Sequence, residues 1–227
     1  RIVTPEKAAE NFQATFYKDI AGTWEIGRTN TSAVVLHILP DGRYALGEAD
    51  EADVTGQPGI EIGRLNWNAL TSALSPEISL DTNGDYGLSH PDNDGQYCLS
   101  YNGTDLVLTD VGSNSTYILT KVKQSSGLVG TWKFSETQLF AFFDNNYYFF
   151  LDGEGGEDCG WAGIEYGKLS ITANTLTPTE VFYDTNECAG FHDSFDNSKS
   201  IVNYTISGTS LTIGTQGEPS VTLQRSN

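Results

Sequence analysis

The sequence predicts an all-β protein of two tandem, homologous lobes, each an antiparallel barrel or sandwich, behind one short N-terminal helix. Three observations carry this. First, Gly22-Thr23-Trp24-Glu25 recurs as Gly130-Thr131-Trp132-Lys133, 108 residues on, and Gly59-Ile60-Glu61 recurs as Gly163-Ile164-Glu165, 104 on. Asp81-Thr82-Asn83 with Gly87-Leu88 returns as Asp184-Thr185-Asn186 with Gly190-Phe191, and Gly103-Thr104 with Leu106 returns as Gly208-Thr209 with Leu211. Collinear matches at a nearly constant offset mark a duplicated unit. Second, short apolar and β-branched runs alternate with Gly/Asn/Asp turns along both copies, the pattern of antiparallel sheets. Third, only the N-terminus carries a helix signal.

That signal is Thr4-Pro5-Glu6: a capping hydroxyl, proline at the first helical position and an acid in the first turn. From Pro5 to about Tyr17, Ala9, Phe12 and Phe16 share one helical face, so the segment 1–19 is expected to plug or flank the first lobe. Lobe 1 covers 20–123. Its first hairpin runs from Ala33–Leu39 through Pro40-Asp41-Gly42 into Arg43–Leu46. Lobe 2 covers 128–227 and repeats the hairpin as Leu139–Phe143, Asp144-Asn145-Asn146 and Tyr147–Leu151. Each lobe ends in two further strands, near 106–109 and 117–122 in the first and near 211–213 and 221–223 in the second. The five residues 123–127 are too short a link for free swinging, so the lobes are expected to pack together.

The 227 residues carry 12 Lys+Arg against 30 Asp+Glu, a formal charge of −18. A polyanion gains nothing from releasing phosphate counterions, so nucleic acid is excluded as a partner. No apolar run is long enough to span a bilayer as a helix. Residues 22–123 hold 14 acids and five bases, and residues 130–227 hold 13 and four, so each lobe carries −9. The absence of methionine and of an apolar leader at Arg1 is what a mature, processed chain would show. Sequons at Asn30, Asn102, Asn114 and Asn203 are no more than chance supplies in a Ser/Thr-rich chain.

The stretch Asp19-Ile20-Ala21-Gly22-Thr23-Trp24 resembles the first-strand signature of lipocalins, and Leu128-Val129-Gly130-Thr131-Trp132-Lys133 is similar to the opening strand of fatty-acid-binding barrels. The resemblance implies calycin-like up-and-down barrels with a Trp closing one end. It covers few residues of each lobe, and neither lobe has a Thr-Asp-Tyr motif. A lobe of about 100 residues is short for a ligand-holding barrel, so small barrels filled by side chains are the alternative.

Four sets of residues are candidates for chemistry. The loop before each Gly-Ile-Glu block is acidic: Glu48, Asp50, Glu51 and Asp53 in lobe 1, and Asp152, Glu154, Glu157 and Asp158 in lobe 2. Such clusters suit calcium through oxygen, or are solvated loops. Asp81, Asn83, Asp85 and Asp92 approach calcium-loop spacing, though glycine falls one position late and lobe 2 has Cys188 and Phe195 at two of the places. The paired carboxylates Glu61/Asp81 and Glu165/Asp184 are the candidates for general acid–base work, against backbone capping. His37, His90 and His192 occupy no shared repeat positions, and no nucleophile or phosphate-cradle motif occurs, so no enzyme is expected.

Aromatic residues crowd the lobe 2 hairpin on both faces. One face must enter a core and the other must meet lobe 1, the helix or a second subunit. Trp24, Trp132, Phe140, Phe142, Tyr148 and Phe150 are the expected ligand-binding set. Cys159 and Cys188 lie beside blocks expected to be neighbours, so they are expected to pair, implying an oxidising compartment; Cys98 is left as a buried strand thiol. The leading expectation is a non-enzymatic, extracytoplasmic protein binding a small apolar ligand in or between the barrels, which an interior without any cavity would contradict. Its rivals are an adhesive or structural surface subunit, oligomeric through the aromatic hairpin and stiffened by calcium, and thirdly a glycan-acting enzyme.

Overall fold

The computed structural model describes residues 2–88, 96–155 and 159–227. Helix α1 is Pro5–Ile20, capped by the Thr4 hydroxyl accepting from the Lys7 amide. Lobe 1 contains β1 (Gly22–Ile26), β2 (Ala33–Ile38), β3 (Arg43–Ala49), β4 (Gly59–Arg64), β5 (Glu77–Asp81), β6 (Tyr97–Tyr101), β7 (Leu106–Asp110) and β8 (Ser115–Lys121). Lobe 2 contains β9 (Gly130–Lys133), β10 (Gln138–Phe142), β11 (Tyr147–Asp152), β12 (Gly163–Ile171), β13 (Thr175–Asp184), the short pair β14 (His192–Asp193) and β15 (Ser198–Lys199), then β16 (Val202–Ser207), β17 (Ser210–Gly214) and β18 (Val221–Ser226). The fold is all-β with two lobes, as the repeat and the strand-turn pattern predicted.

Lobe 2 is a closed up-and-down barrel of eight strands, in which β18 returns to pair with β9 and β13 reaches β16 through Thr175–Asn203 and Leu176–Val202. Eight strands therefore fit into a unit of about 100 residues, with an interior just wide enough for side chains. Lobe 1 keeps the same order as a curled sheet with β5 and β6 at its edges. Between β4 and β5 the chain leaves the sheet, with Asn66 and Ser72 at positive φ and Pro76 unable to donate a ladder hydrogen bond. This irregular stretch hydrogen-bonds to β6 instead, Leu74 to Tyr97 and Leu99 to Ser72. Helix α1 covers it: Phe16 stacks on Trp67 at 3.8 Å between ring centroids, and the Trp67 amide donates to the Tyr17 hydroxyl at 2.9 Å. The helix flanks lobe 1 as expected, with Tyr17 and Ile20 in its core.

Each lobe carries the repeated Trp. Its indole donates to the carbonyl four residues back, Ile20 or Leu128, at 2.8 Å in each lobe. A base from the last strand lies over each ring, Lys121 at 5.0 Å and Arg225 at 4.0 Å.

The described residues form three apolar cores, one inside each lobe and one between them. The inner face of the aromatic hairpin, Phe140, Phe142, Tyr148 and Phe150, fills barrel 2. The outer face, Leu139, Ala141, Phe143, Phe149 and Leu151, packs on Ala33, Val35, Ala49 and Ile60 of lobe 1. Gly47 of β3 permits this approach, since a Cβ there would sit 2.4 Å from Leu151 Cδ2. Of the partners expected for this face, lobe 1 is the one it meets, and its outer rings are covered within the chain. Polar contacts rim the seam, with Arg28 over the Phe143 ring at 3.8 Å and the Tyr166 and Tyr183 hydroxyls donating to the carbonyls of Thr29 and Thr31.

Candidate functional site: two equivalent clefts

The repeated Gly-Ile-Glu block places one acid, Glu61 or Glu165, on the inner face of β4 or β12, fully buried. Glu61 Oε1 accepts from the Tyr44 hydroxyl at 2.6 Å and the Leu88 amide at 3.0 Å. Glu165 accepts from the Tyr148 hydroxyl and from the Phe191 and His192 amides, both at 3.1 Å. The matched acids lie directly opposite in register, Asp81 beside Glu61 and Asp184 beside Glu165. Asp81 caps the Asn83 and Gly84 amides, while Asp184 holds His192 Nδ1 at 2.6 Å, whose Nε2 meets Asn197. The carboxylates retained in both lobes thus act as latches, tying the segment after β5 or β13 onto the barrel wall.

Burial pushes Glu165 up to about 7, against the hydrogen bonds it accepts, and raises Asp184 as well. Burial, then the neighbouring Asp50, pushes Glu48 up to about 7. His37 goes the other way, lowered to about 4 first by burial and then by Lys133 and Lys121. Between pH 4.5 and 7 the folded state therefore holds protons on Glu48 and Glu165 that the unfolded chain has lost, so stability falls as pH rises through this window. His37 opposes this, because its contribution is lost as pH falls from 6.5 towards 4. The raised acids outweigh the one lowered histidine, so the net effect on going up the window is a loss of stability. Thermal melts of wild type should show the highest Tm on the acid side, and Glu165→Gln should flatten the profile.

Beside each latch the barrel opens to a cleft, and the two clefts occupy equivalent places. In lobe 2 the rings of Phe134, Phe140, Phe150 and Phe191 with Ile213 and Val221 line a volume of ≈ 220 Å³. In lobe 1 the matching positions are Ile26, Leu46, Leu88, Leu108 and Tyr117, lining ≈ 330 Å³ together with Glu48, Asp50, Asp85, Tyr86 and Tyr97. A groove of ≈ 350 Å³ also runs between the lobes, spanned by the Arg43–Glu136 ion pair at 2.6 Å.

Of the expected ligand set, Phe140 and Phe150 line the lobe 2 cleft. Trp24, Trp132, Phe142 and Tyr148 are sealed in the cores below. The space that Phe140 and Phe150 line lies at the barrel mouth. Phe134 and Phe191 were missed by sequence reasoning. Their signal was position, since Phe134 directly follows the Gly-Thr-Trp-Lys block and Phe191 lies within the Gly190-Phe191 match.

The acids are dispersed. Glu48 lines the lobe 1 cleft, Asp50 caps the Glu51 amide, and Asp53 Oδ1 accepts from the Thr55 and Gly56 amides. Asp152 is buried, accepting from Gln138 at 2.9 Å and from Asn186 Nδ2 at 3.2 Å, and Glu154 accepts from Ser135 and Thr137. Asp92, His90, Glu157 and Asp158 lie outside the described residues. Among the described residues no group of three or more His, Cys, Asp or Glu side chains is placed to hold a metal ion. Cys159 and Cys188 form the expected disulfide, while Cys98 on β6 is partly exposed rather than buried.

No protein-family model matches the chain, and no curated protein matches it. Among solved structures, the DNA polymerase III β subunit of Thermotoga maritima aligns at 9% identity over 96% of this chain, with a TM-score of 0.15. The chain spans 62% of that subunit's length, and so poor a superposition carries no argument about fold or activity.

Proposed function

We propose that the protein is a non-enzymatic, calycin-like binding module whose second barrel takes a small apolar group, an aromatic ring or the end of an alkyl chain, at its mouth. The observation that carries this is the ≈ 220 Å³ cleft walled by four phenylalanine rings. A dry apolar cavity of about 150 Å³ is enough to admit benzene, whereas drug-sized ligands need about 300 Å³ or more, so the cleft suits a fragment rather than a whole lipid. The ring of Phe134 is 39% exposed, leaving the site open to solvent on one side.

The Cys159–Cys188 disulfide supports an extracytoplasmic location, since such bonds persist in oxidising compartments. No described helix is long and apolar enough to cross a membrane. The adhesive-subunit reading loses the free ring surface that motivated it, because lobe 1 covers those rings.

Calorimetric titration with benzyl alcohol and 1-hexanol tests the proposal. Wild type should bind both, and Phe134→Ala should weaken them by about tenfold, the value of most of one ring's apolar contact. Equal binding by the variant, or no binding by wild type, would overturn it.

A further inference from the structure

The two clefts share their place in the repeat and differ in chemistry. Where lobe 2 has Phe134, Phe150 and Val221, lobe 1 has Ile26, Leu46 and Tyr117, and it adds the phenol rings of Tyr86 and Tyr97. The acids differ more. Asp152 of lobe 2 is consumed inside the protein by Gln138, by Asn186 and by the Glu154 and Gly155 amides. Its counterpart, Glu48, lines the lobe 1 cleft, partly buried against apolar and aromatic walls.

A second difference from lobe 2 lies behind the wall of this cleft. Asn83, the counterpart of Asn186, is fully buried, and neither its Nδ2 nor its Oδ1 has a partner. It stands behind the Gly87 wall of this cleft, where a Cβ on Gly87 would lie 3.1 Å from Asn83 Nδ2. In lobe 2 the corresponding Nδ2 is satisfied by Asp152. Lobe 1 thus lacks the acid–amide pairing that lobe 2 keeps, and Glu48 accepts from the Gly87 amide instead.

We propose that the lobe 1 cleft is a second binding site, selective for a small organic ammonium ion. A carboxylate partly withdrawn from water attracts such a cation more strongly than a solvated one does. Tyrosine faces add cation–π attraction, and the aliphatic floor of Leu46 and Leu108 accommodates alkyl groups on nitrogen. Among the described residues no Lys or Arg lines the cleft to compete. Glu48 also carries the burden of Asp50 beside it, and a bound cation relieves that repulsion.

The experiment compares choline with 3,3-dimethylbutan-1-ol, its neutral isostere, by calorimetry on the whole chain. Choline should bind at least about tenfold more tightly than the alcohol. Glu48→Gln should remove that preference, and Tyr117→Ala, at a ring 43% exposed, should weaken choline about threefold. Unchanged benzyl alcohol binding at lobe 2, or a single cooperative melt where that probe does not bind, shows that the variants are folded and keeps this test separate from the lobe 2 proposal. Equal affinity for choline and the alcohol, no choline binding, or full choline affinity in Glu48→Gln would each overturn it.

Discussion

Phe149→Ala should lower the unfolding free energy by about 3–5 kcal/mol and separate the unfolding of the two lobes. Phe149 is fully buried at the centre of the inter-lobe core, its ring 5.5 Å from that of Tyr166 and close against Gly47 of lobe 1. Removing the ring leaves a cavity bounded by two sheets, which cannot collapse without bending both. Neither lobe's internal core contains Phe149, so each should keep its own packing. Scanning calorimetry should therefore show one cooperative transition in wild type and two broader, earlier ones in the variant. One unshifted transition would show that the lobes do not depend on this contact.

Gly190→Ala should cost a similar amount by a different route. Gly190 has φ of +93°, which an L side chain rarely adopts, and its added Cβ would lie 2.4 Å from Glu165 Oε2. Backbone strain of about 1–2 kcal/mol adds to disruption of a buried carboxylate network worth about 1–3 kcal/mol, for a total of about 2–5 kcal/mol. Gly208→Ala provides the comparison. Its φ is +60° and a Cβ added there would have nothing within 4 Å, so only the strain should appear in urea unfolding. Equal losses in the two variants would deny the latch its role.

The duplicated plan was legible because the repeated residues perform repeated tasks. The Thr of each Asp-Thr-Asn block accepts from the Ile amide of Gly-Ile-Glu at 2.9 Å, and the Glu of that block holds the following segment. The disulfide was legible for the same reason, since it joins the two blocks in lobe 2. The open seam of lobe 1 was not. The stretch from Leu65 to Glu77 is within one residue of the length from Leu169 to Glu180, yet lobe 2 makes it a long hairpin and lobe 1 a loop sealed by α1. Offset alone cannot distinguish the two, because the decision rests on tertiary pairing with Trp67 and β6.

The clefts were half legible. Alternation along the hairpin identified Phe140 and Phe150 as inward-facing, but depth along a barrel axis leaves no trace in a two-residue period. Trp132 and Phe142 therefore look the same in sequence as the rings that reach the mouth. The acidic loops were legible as clusters and misleading as sites, since hydrogen bonds to backbone amides and to Gln, Asn and Ser/Thr side chains absorb Asp53, Asp152 and Glu154 individually.

The most direct test of the binding proposal is a methyl-detected NMR titration with benzyl alcohol. The account predicts shifts at Ile213, Val202 and Val221 around the lobe 2 mouth, with Leu211 and Leu223 in the barrel core and Ile60 between the lobes unmoved. Shifts at the core and inter-lobe methyls instead, or none at saturating probe, would contradict it.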